Sequence, residues 1–249
     1  MKQNIVNKIN NSSDFNDPKK YGNWLTKMLK NKQIIKIRND LYTLVDKDNK
    51  PLSDRFQIAS NINTNSFLCY HSALEYYGLA HQIFNEVHVG STIKFNKFSF
   101  NDICYKWIKY SNSLFVKYDK TNDIKVTTLE KTIIDCIDNI NAIGGLEELL
   151  YCLEYVQKLD EQKCLLILNK INKLYLYQKA GYLFEKFNTK FSFSKKFFES
   201  IKKHLSNKIN YLAKDEYKSF SYNKTWRLMV PELKELNGGY SEEIAALNI

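Results

Sequence analysis

"PKKYGNWLTKMLKNKQIIKIRNDLYTLV", residues 18–45, is the stretch on which the reading of the fold turns. Tyr21, Trp24, Leu25, Met28 and Leu29 recur at spacings of three and four, which predicts a helix with one apolar stripe. Lys20, Asn23, Lys27 and Lys30 take the opposite side. Asp17-Pro18 supplies an N-cap followed by a proline at the first helical position. Beyond the helix, "IIKI" and "LYTLV" flank Asn39-Asp40, two residues that tolerate positive φ, so a hairpin closed by a two-residue primed turn is predicted. Upstream, Ile5, Val6 and Ile9 in "NIVNKIN" lie at helical spacing, and the cap-rich "NNSSDFNDP" breaks that short helix.

Helix, break, basic helix and hairpin follow one another as in a winged helix-turn-helix, with the hairpin as the wing. In that geometry the second helix enters the major groove and the wing lies over the neighbouring backbone. The residues expected to touch double-stranded DNA are Lys19, Lys20, Asn23, Lys27 and Lys30 from the helix, and Lys36, Arg38 and Asn39 from the wing. Lysines neutralise phosphates and release counterions, while Asn23 has the donor and acceptor pair that reads adenine. Lys36 and Arg38 alternate with Ile35 and Ile37, which predicts one cationic strand face and one inward face. The same lysines also fit a solvated helix face.

The 249 residues, 44% hydrophobic, are enough to bury a core of their own, and two domains are expected. The net charge of +10 suggests a polyanionic partner, and its distribution sharpens the suggestion. Residues 1–45 hold nine Lys/Arg against Asp14, Asp17 and Asp40, a net +6, whereas residues 46–165 hold 13 against 16 acidic residues. Residues 166–227 hold 14 against four, a net +10. Biased codon usage alone would not gather the excess into two blocks. Five widely spaced cysteines without a CxxC signal neither a disulfide framework nor a zinc cluster, and read as reduced core thiols. With no long apolar run and no apolar leader after Met1, the expectation is a soluble, cytoplasmic protein without a membrane partner.

Further along, "NDLYTLV" (39–45), "RFQIAS" (55–60), "SFLCYHSALEYYGL" (66–79) and "EVHVGST" (86–92) are followed by "IKVTTLEKTIIDCID" (124–138) and "YQKAGYLFEKF" (177–187). In order and spacing these segments resemble the AbiEi family, antitoxins and transcriptional regulators of type IV toxin-antitoxin systems often found in phage-defence (abortive infection) loci. The resemblance spans about residues 5–190. Departures are Asn39-Asp40 where the family's wing turns at Arg-Gly, and Lys179-Ala180 where Arg-Leu is common. The resemblance implies an autorepressor that binds inverted repeats in its own operator. It also implies an antitoxin counteracting a nucleotidyltransferase-like toxin, with direct contact between the two not required. Neither a cofactor nor a metal is implied, and no catalytic residue.

Enzymatic alternatives are thin. His71, Ser72 and Glu75 suggest acyl transfer, but no oxyanion-forming glycine loop accompanies them, and Cys69 with His71 lacks a second pair of metal ligands. Asp123 and Lys125 with Asp102 or Asp119 could hold magnesium for phosphodiester cleavage, although "KYDKTNDIK" is also an ordinary polar turn. Glu130, Lys131 and Asp135 suit a salt-bridged helix better than catalysis.

From Leu146 to about Leu212 the periodicity is helical, with breaks at Asp160, Lys173, Asn188 and Asn207. Lys195, Lys196, Lys202, Lys203 and Lys208 form either a second polyanion contact or a solvated face. The expected fold is thus α+β: an N-terminal winged helix-turn-helix (1–48), then a mixed α/β domain ending in a helical bundle (49–249). Within the latter, residues 49–140 are expected to be mixed sheet and helices, 141–215 helical, and 216–249 a tail jointed at its Gly-Gly. The rival function is a plain transcriptional regulator without an antitoxin role, and below it a metal-dependent nuclease.

Overall fold

The computed structural model describes residues 5–7, 18–214 and 217–232. The architecture is mixed α/β, and the chain divides into two compact units, Met1–Thr128 and Leu129–Ile249.

The first unit begins with β1 (Ile5–Asn7), where a short helix was expected. Two adjacent β-branched residues favour an extended backbone, and β3 offers them an open edge. Ile9 and the cap-rich break lie outside the described residues. Helix α1 (Pro18–Lys30) and the hairpin β2 (Ile34–Arg38) and β3 (Leu41–Leu44) fall where the periodicity predicts them. The three strands form an antiparallel sheet in the order β1-β3-β2. Trp24, Leu25 and Met28 of α1 pack with Leu44 on Ile34 and Tyr42, so the apolar stripe is anchored to the hairpin.

Two details of the hairpin differ from the expectation. Of the turn residues, Asp40 alone has a positive φ (59°), whereas a type I′ turn needs it at both. A bulge also interrupts the β2/β3 register between Lys36 and Arg38. The bulge replaces alternation with a spacing of three, so Ile34 and Ile37 are the buried pair, not Ile35 and Ile37.

The stretch expected to link two domains is instead a structured turn. Asp46 Oδ1 accepts from the amides of Asp48 and Lys50, Val45 bridges to Pro51, and Thr43 donates to Ser53 Oγ at 2.8 Å. The boundary after residue 48 accordingly falls inside the first unit. There Ile37 and Leu41 share a core with Ile58, Leu68, Val87, Val89 and Val126.

That core lies under α2 (Arg55–Ser60), α3 (Tyr70–Tyr76) and six strands: β4 (Phe67–Leu68), β5 (Glu86–Ser91), β6 (Phe98–Phe100), β7 (Ile103–Lys109), β8 (Val116–Asp119) and β9 (Ile124–Thr127). Their order is β6-β7-β5-β4-β9-β8, with β5/β7 and β4/β9 parallel and the other pairs antiparallel. Helix α2 starts at a capping box: Asp54 Oδ1 accepts from the amides of Phe56 and Gln57, and Gln57 Oε1 accepts from the Asp54 amide.

The second unit opens with α4 (Leu129–Asp138), a 3-10 turn (Ile140–Ile143), α5 (Leu146–Tyr155) and α6 (Glu161–Ile171). It continues with α7 (Leu174–Lys186), α8 (Asn188–Phe191) and α9 (Lys195–Lys202). The predicted breaks at Asp160 and Lys173 are the N-caps of α6 and α7. Phe184, Phe187, Phe191, Phe193 and Phe197 are buried among one another.

The helices are not the end of the described chain. Strands β10 (Asn210–Tyr211), β11 (Phe220–Asn223) and β12 (Leu228–Pro231) form a small sheet in the order β10-β12-β11, inside segments expected to be helix and tail. Fully buried Trp226 fixes it to α7. Its Nε1 donates to Glu185 Oε2 at 2.6 Å, and its ring occupies the space that a side chain at Gly181 would need. Gln178 Nε2 donates to the carbonyls of Lys208, Trp226 and Arg227, stitching the same junction. The Gly-Gly joint lies outside the described residues.

Candidate nucleic-acid interface

Helix α1 sets out the cationic residues geometrically. At 100° per residue, Lys19, Lys20, Asn23, Lys27 and Lys30 fall within an arc of about 100°, and the row from Lys19 to Lys30 extends about 16 Å. All five are exposed, and Tyr21, Trp24, Leu25 and Met28 occupy the opposite, half-buried side. The exposed arc carries four lysines and no carboxylate. No acidic residue stands in the first turn, while Lys27 and Lys30 fall in the last turn, where the helix dipole favours cations.

The hairpin residues separate. Lys36 and Asn39 are exposed. Arg38 is not on the same surface: its guanidinium carbon lies 4.9 Å from the Phe98 ring centroid and 5.5 Å from that of Phe95. Its Nη1 is buried without a hydrogen-bond partner among the described residues, and burial lowers its pKa. The bulge accounts for this placement, because an extra residue between Lys36 and Arg38 sends their side chains to different surroundings. Seven of the eight expected contact residues are therefore exposed, and Arg38 rests against the rings of the larger sheet's edge.

The residues weighed for catalysis are engaged elsewhere. Ser72 Oγ accepts from the His88 amide at 2.8 Å, His71 stacks on Phe84 at 3.8 Å, and Glu75 pairs with Arg55 at 2.9 Å. Arg55 also donates to the Phe84 carbonyl, so these groups tie α2, α3 and the approach to β5 together. Asp119 accepts from Tyr76 at 2.6 Å and Asp123 from Tyr118 at 2.8 Å. The Tyr76 and Asn122 hydrogen bonds hold the Asp119 carboxyl at about 2, and burial with the Asp119 hydrogen bond raises the Tyr76 hydroxyl to about 12. Lys125 Nζ donates to the carbonyls of Ser60 and Thr64, and burial lowers its pKa despite nearby Asp123. Asp102 holds a positive-φ turn position (61°) between β6 and β7. Lys131 pairs with Asp135 along α4, and Glu130 is approached by Lys163 at 3.8 Å. Among the described residues no group of three His, Cys, Asp or Glu side chains is arranged to hold a metal ion. The five cysteines are free thiols; Cys104 is half-buried and the others are buried.

A charge cluster that sequence inspection missed surrounds Glu86. Its carboxylate pairs with Lys97 at 2.9 Å, Lys106 at 3.0 Å and His88 Nε2 at 3.1 Å. Burial opposes ionisation, yet the two ammonium groups hold Glu86 at about 2. Burial followed by the Lys106 charge presses His88 down to about 4. Alternation in "EVHV" signals a strand, but Lys97 comes from just before β6 and Lys106 from β7, so only the sheet order assembles the cluster.

Fold and surface together define a two-unit mixed α/β protein whose first unit carries a basic helix beside a three-stranded sheet. No family model matches the chain, and no curated protein does. Among solved structures it is similar to the crystal structure of the RV2827C protein from Mycobacterium tuberculosis. The TM-score is 0.57, over 91% of this chain and 86% of that one, at 9% sequence identity. At that identity the likeness is one of fold alone. No described helix is long and apolar enough to cross a membrane.

Proposed function

We propose that the protein is a DNA-binding autorepressor and antitoxin of a type IV toxin-antitoxin system, opposing a nucleotidyltransferase-like toxin. The observation that carries the DNA-binding part is the α1 surface: four exposed lysines and Asn23 on one arc, free of carboxylates, followed at once by an exposed Lys36 on the hairpin. The sheet order β1-β3-β2 supports a winged helix-turn-helix, because in that fold a strand preceding the reading helix pairs with the second strand of the wing. A row about 16 Å long matches roughly five base pairs of groove, and lysines on it would neutralise phosphates on either side of Asn23. The family resemblance supplies the antitoxin part, with the second unit and the larger sheet as the region outside the reader.

The test is a salt series of binding to the DNA upstream of its own coding sequence, with an unrelated duplex as competitor. Lys27→Ala/Lys36→Ala is expected to weaken site-preferring binding and to reduce the slope of log K against log salt by about 1.8, near 0.9 per phosphate contact. Equal binding to both duplexes, unchanged in the variant, would refute the reading. If a nucleotidyltransferase is encoded beside it, rescue of growth on co-expression of the two separates an antitoxin from a plain regulator: without rescue, only the regulator survives.

A further inference from the structure

The small sheet of the second unit turns its two faces to different uses. On the inner side Leu228 and Val230 are buried with Trp226 and Leu212. On the outer side the register aligns Tyr211, Met229 and Tyr222 in one row across the three strands, since Met229 is the Cα partner of both tyrosines. Tyr211 is 39% exposed and Tyr222 49% exposed. Phe220, two residues from Tyr222 and so on the same face, stands edge-on to Tyr211 with ring centroids 5.0 Å apart. Aromatic rings on the open face of a sheet fixed from behind by Trp226 are not completing a core.

Exposed cations flank the strands of this sheet in sequence. Residues 195–227 contain nine Lys/Arg and three Asp/Glu. Lys208 lies just before β10, Lys214 just after it and Lys224 in the turn after β11, all exposed, and Lys214 Nζ sits 5.5 Å from the Tyr211 ring centroid. The two outer tyrosines flank β12 on either side, their backbone positions roughly 9.5 Å apart, the span of two strand spacings. Stacking platforms rimmed by cations hold unpaired bases and their phosphates, whereas a stacked duplex offers no base faces to such rings. Unpaired strands in a cell are chiefly RNA, because DNA is held in duplex.

We infer that the outer face of the β10-β12-β11 sheet binds single-stranded RNA, with Tyr211 and Tyr222 stacking on bases and Lys208, Lys214 and Lys224 meeting the phosphates. This site shares no residue with the duplex reader proposed on α1, so either proposal can fail without the other.

The test uses the full chain and fluorescence anisotropy with labelled 12-nucleotide oligo(U), oligo(dT) and a 12-base-pair duplex. Tyr211→Ala/Tyr222→Ala is expected to weaken oligo(U) binding by about 30-fold, near fivefold or more per ring, while Tyr211→Phe/Tyr222→Phe retains it. Lys27→Ala/Lys36→Ala is expected to leave oligo(U) binding unchanged. Wild-type affinity in the alanine pair, or tighter binding of oligo(dT) or of the duplex than of oligo(U), overturns the inference. Should the alanine pair unfold at a lower temperature than wild type, Lys214→Gln/Lys224→Gln carries the test: a shallower salt slope for oligo(U) supports the site, an unchanged slope removes it.

Discussion

Replacing Arg38 by alanine separates the proposed DNA contact of this strand from a structural one, because Arg38 and Lys36 lie on the same strand in different surroundings. The guanidinium of Arg38 lies 4.9 Å and 5.5 Å from the Phe98 and Phe95 centroids, and one of its nitrogens is buried. A partly desolvated cation over a ring contributes about 1 kcal/mol, and loss of the packed aliphatic stem adds a comparable amount, so Arg38→Ala should cost about 2 kcal/mol. For a unit of this size that is a fall in Tm of roughly 8 °C. Exposed Lys36 should cost less than about 0.5 kcal/mol on truncation. DNA titrations over a salt series should show the reverse order: Lys36→Ala lowers the slope by about 0.9, whereas Arg38→Ala leaves the slope unchanged at temperatures where the protein is folded. Thermal unfolding followed by circular dichroism and the titrations together decide the matter. If Arg38→Ala melts within about 1 °C of wild type and lowers the slope by one phosphate, the packed placement of Arg38 is refuted.

Three further outcomes are expected. Gly181→Ala should destabilise the second unit by about 3 kcal/mol, since the added carbon would meet the Trp226 ring at 2.0 Å; denaturant unfolding monitored by tryptophan fluorescence measures it, and an unchanged midpoint would contradict the packing. Asp54→Ala removes the acceptor for two α2 amides and should cost about 1 kcal/mol, read as a shift of denaturant midpoint at constant slope. Acid should destabilise the first unit in two steps. His88 falls from 6.5 to about 4 on folding, so the unfolded chain binds the extra proton and stability drops as pH falls from 6.5 to 4, by at most about 3 kcal/mol. Glu86, lowered from 4.5 to about 2, extends the loss below pH 4.5, and the two steps are coupled through their contact. His88→Gln should flatten Tm between pH 6.5 and 4.5 while leaving the lower step.

How much of this was legible depended on the range of the interaction. The α1 stripe, its cationic arc, the Asp160 and Lys173 caps and the hairpin all follow from neighbours within a turn or a strand, and each stands where the sequence places it. The bulge did not announce itself, because "IIKIRN" alternates as well as any flat strand. What selects the bulged register is the larger sheet, whose core takes Ile37 while Phe95 and Phe98 take Arg38. The Glu86 cluster and the pairing of β1 with β3 are non-local in the same sense.

The small sheet was hidden for a different reason. Strand β10 has two residues, too few for any period, and although Phe220 and Tyr222 alternate with Ser221 and Asn223, burial does not follow that alternation: Phe220 and Asn223 are half-buried, Ser221 and Tyr222 exposed. An amphipathic strand is ordinarily read with its aromatic side inward. Here the inward side of the sheet is already filled by Trp226 from a turn and Leu212 from a loop, with Gly181 leaving the space for the indole. Once that space is taken, the aromatic side of β11 has no core left to enter and must face outward beside the lysines. The same packing that makes Gly181 and Trp226 interdependent therefore exposes Tyr222. A variant that lets the sheet lift from α7 should disturb stability and RNA binding together, whereas Tyr222→Ala should disturb RNA binding alone.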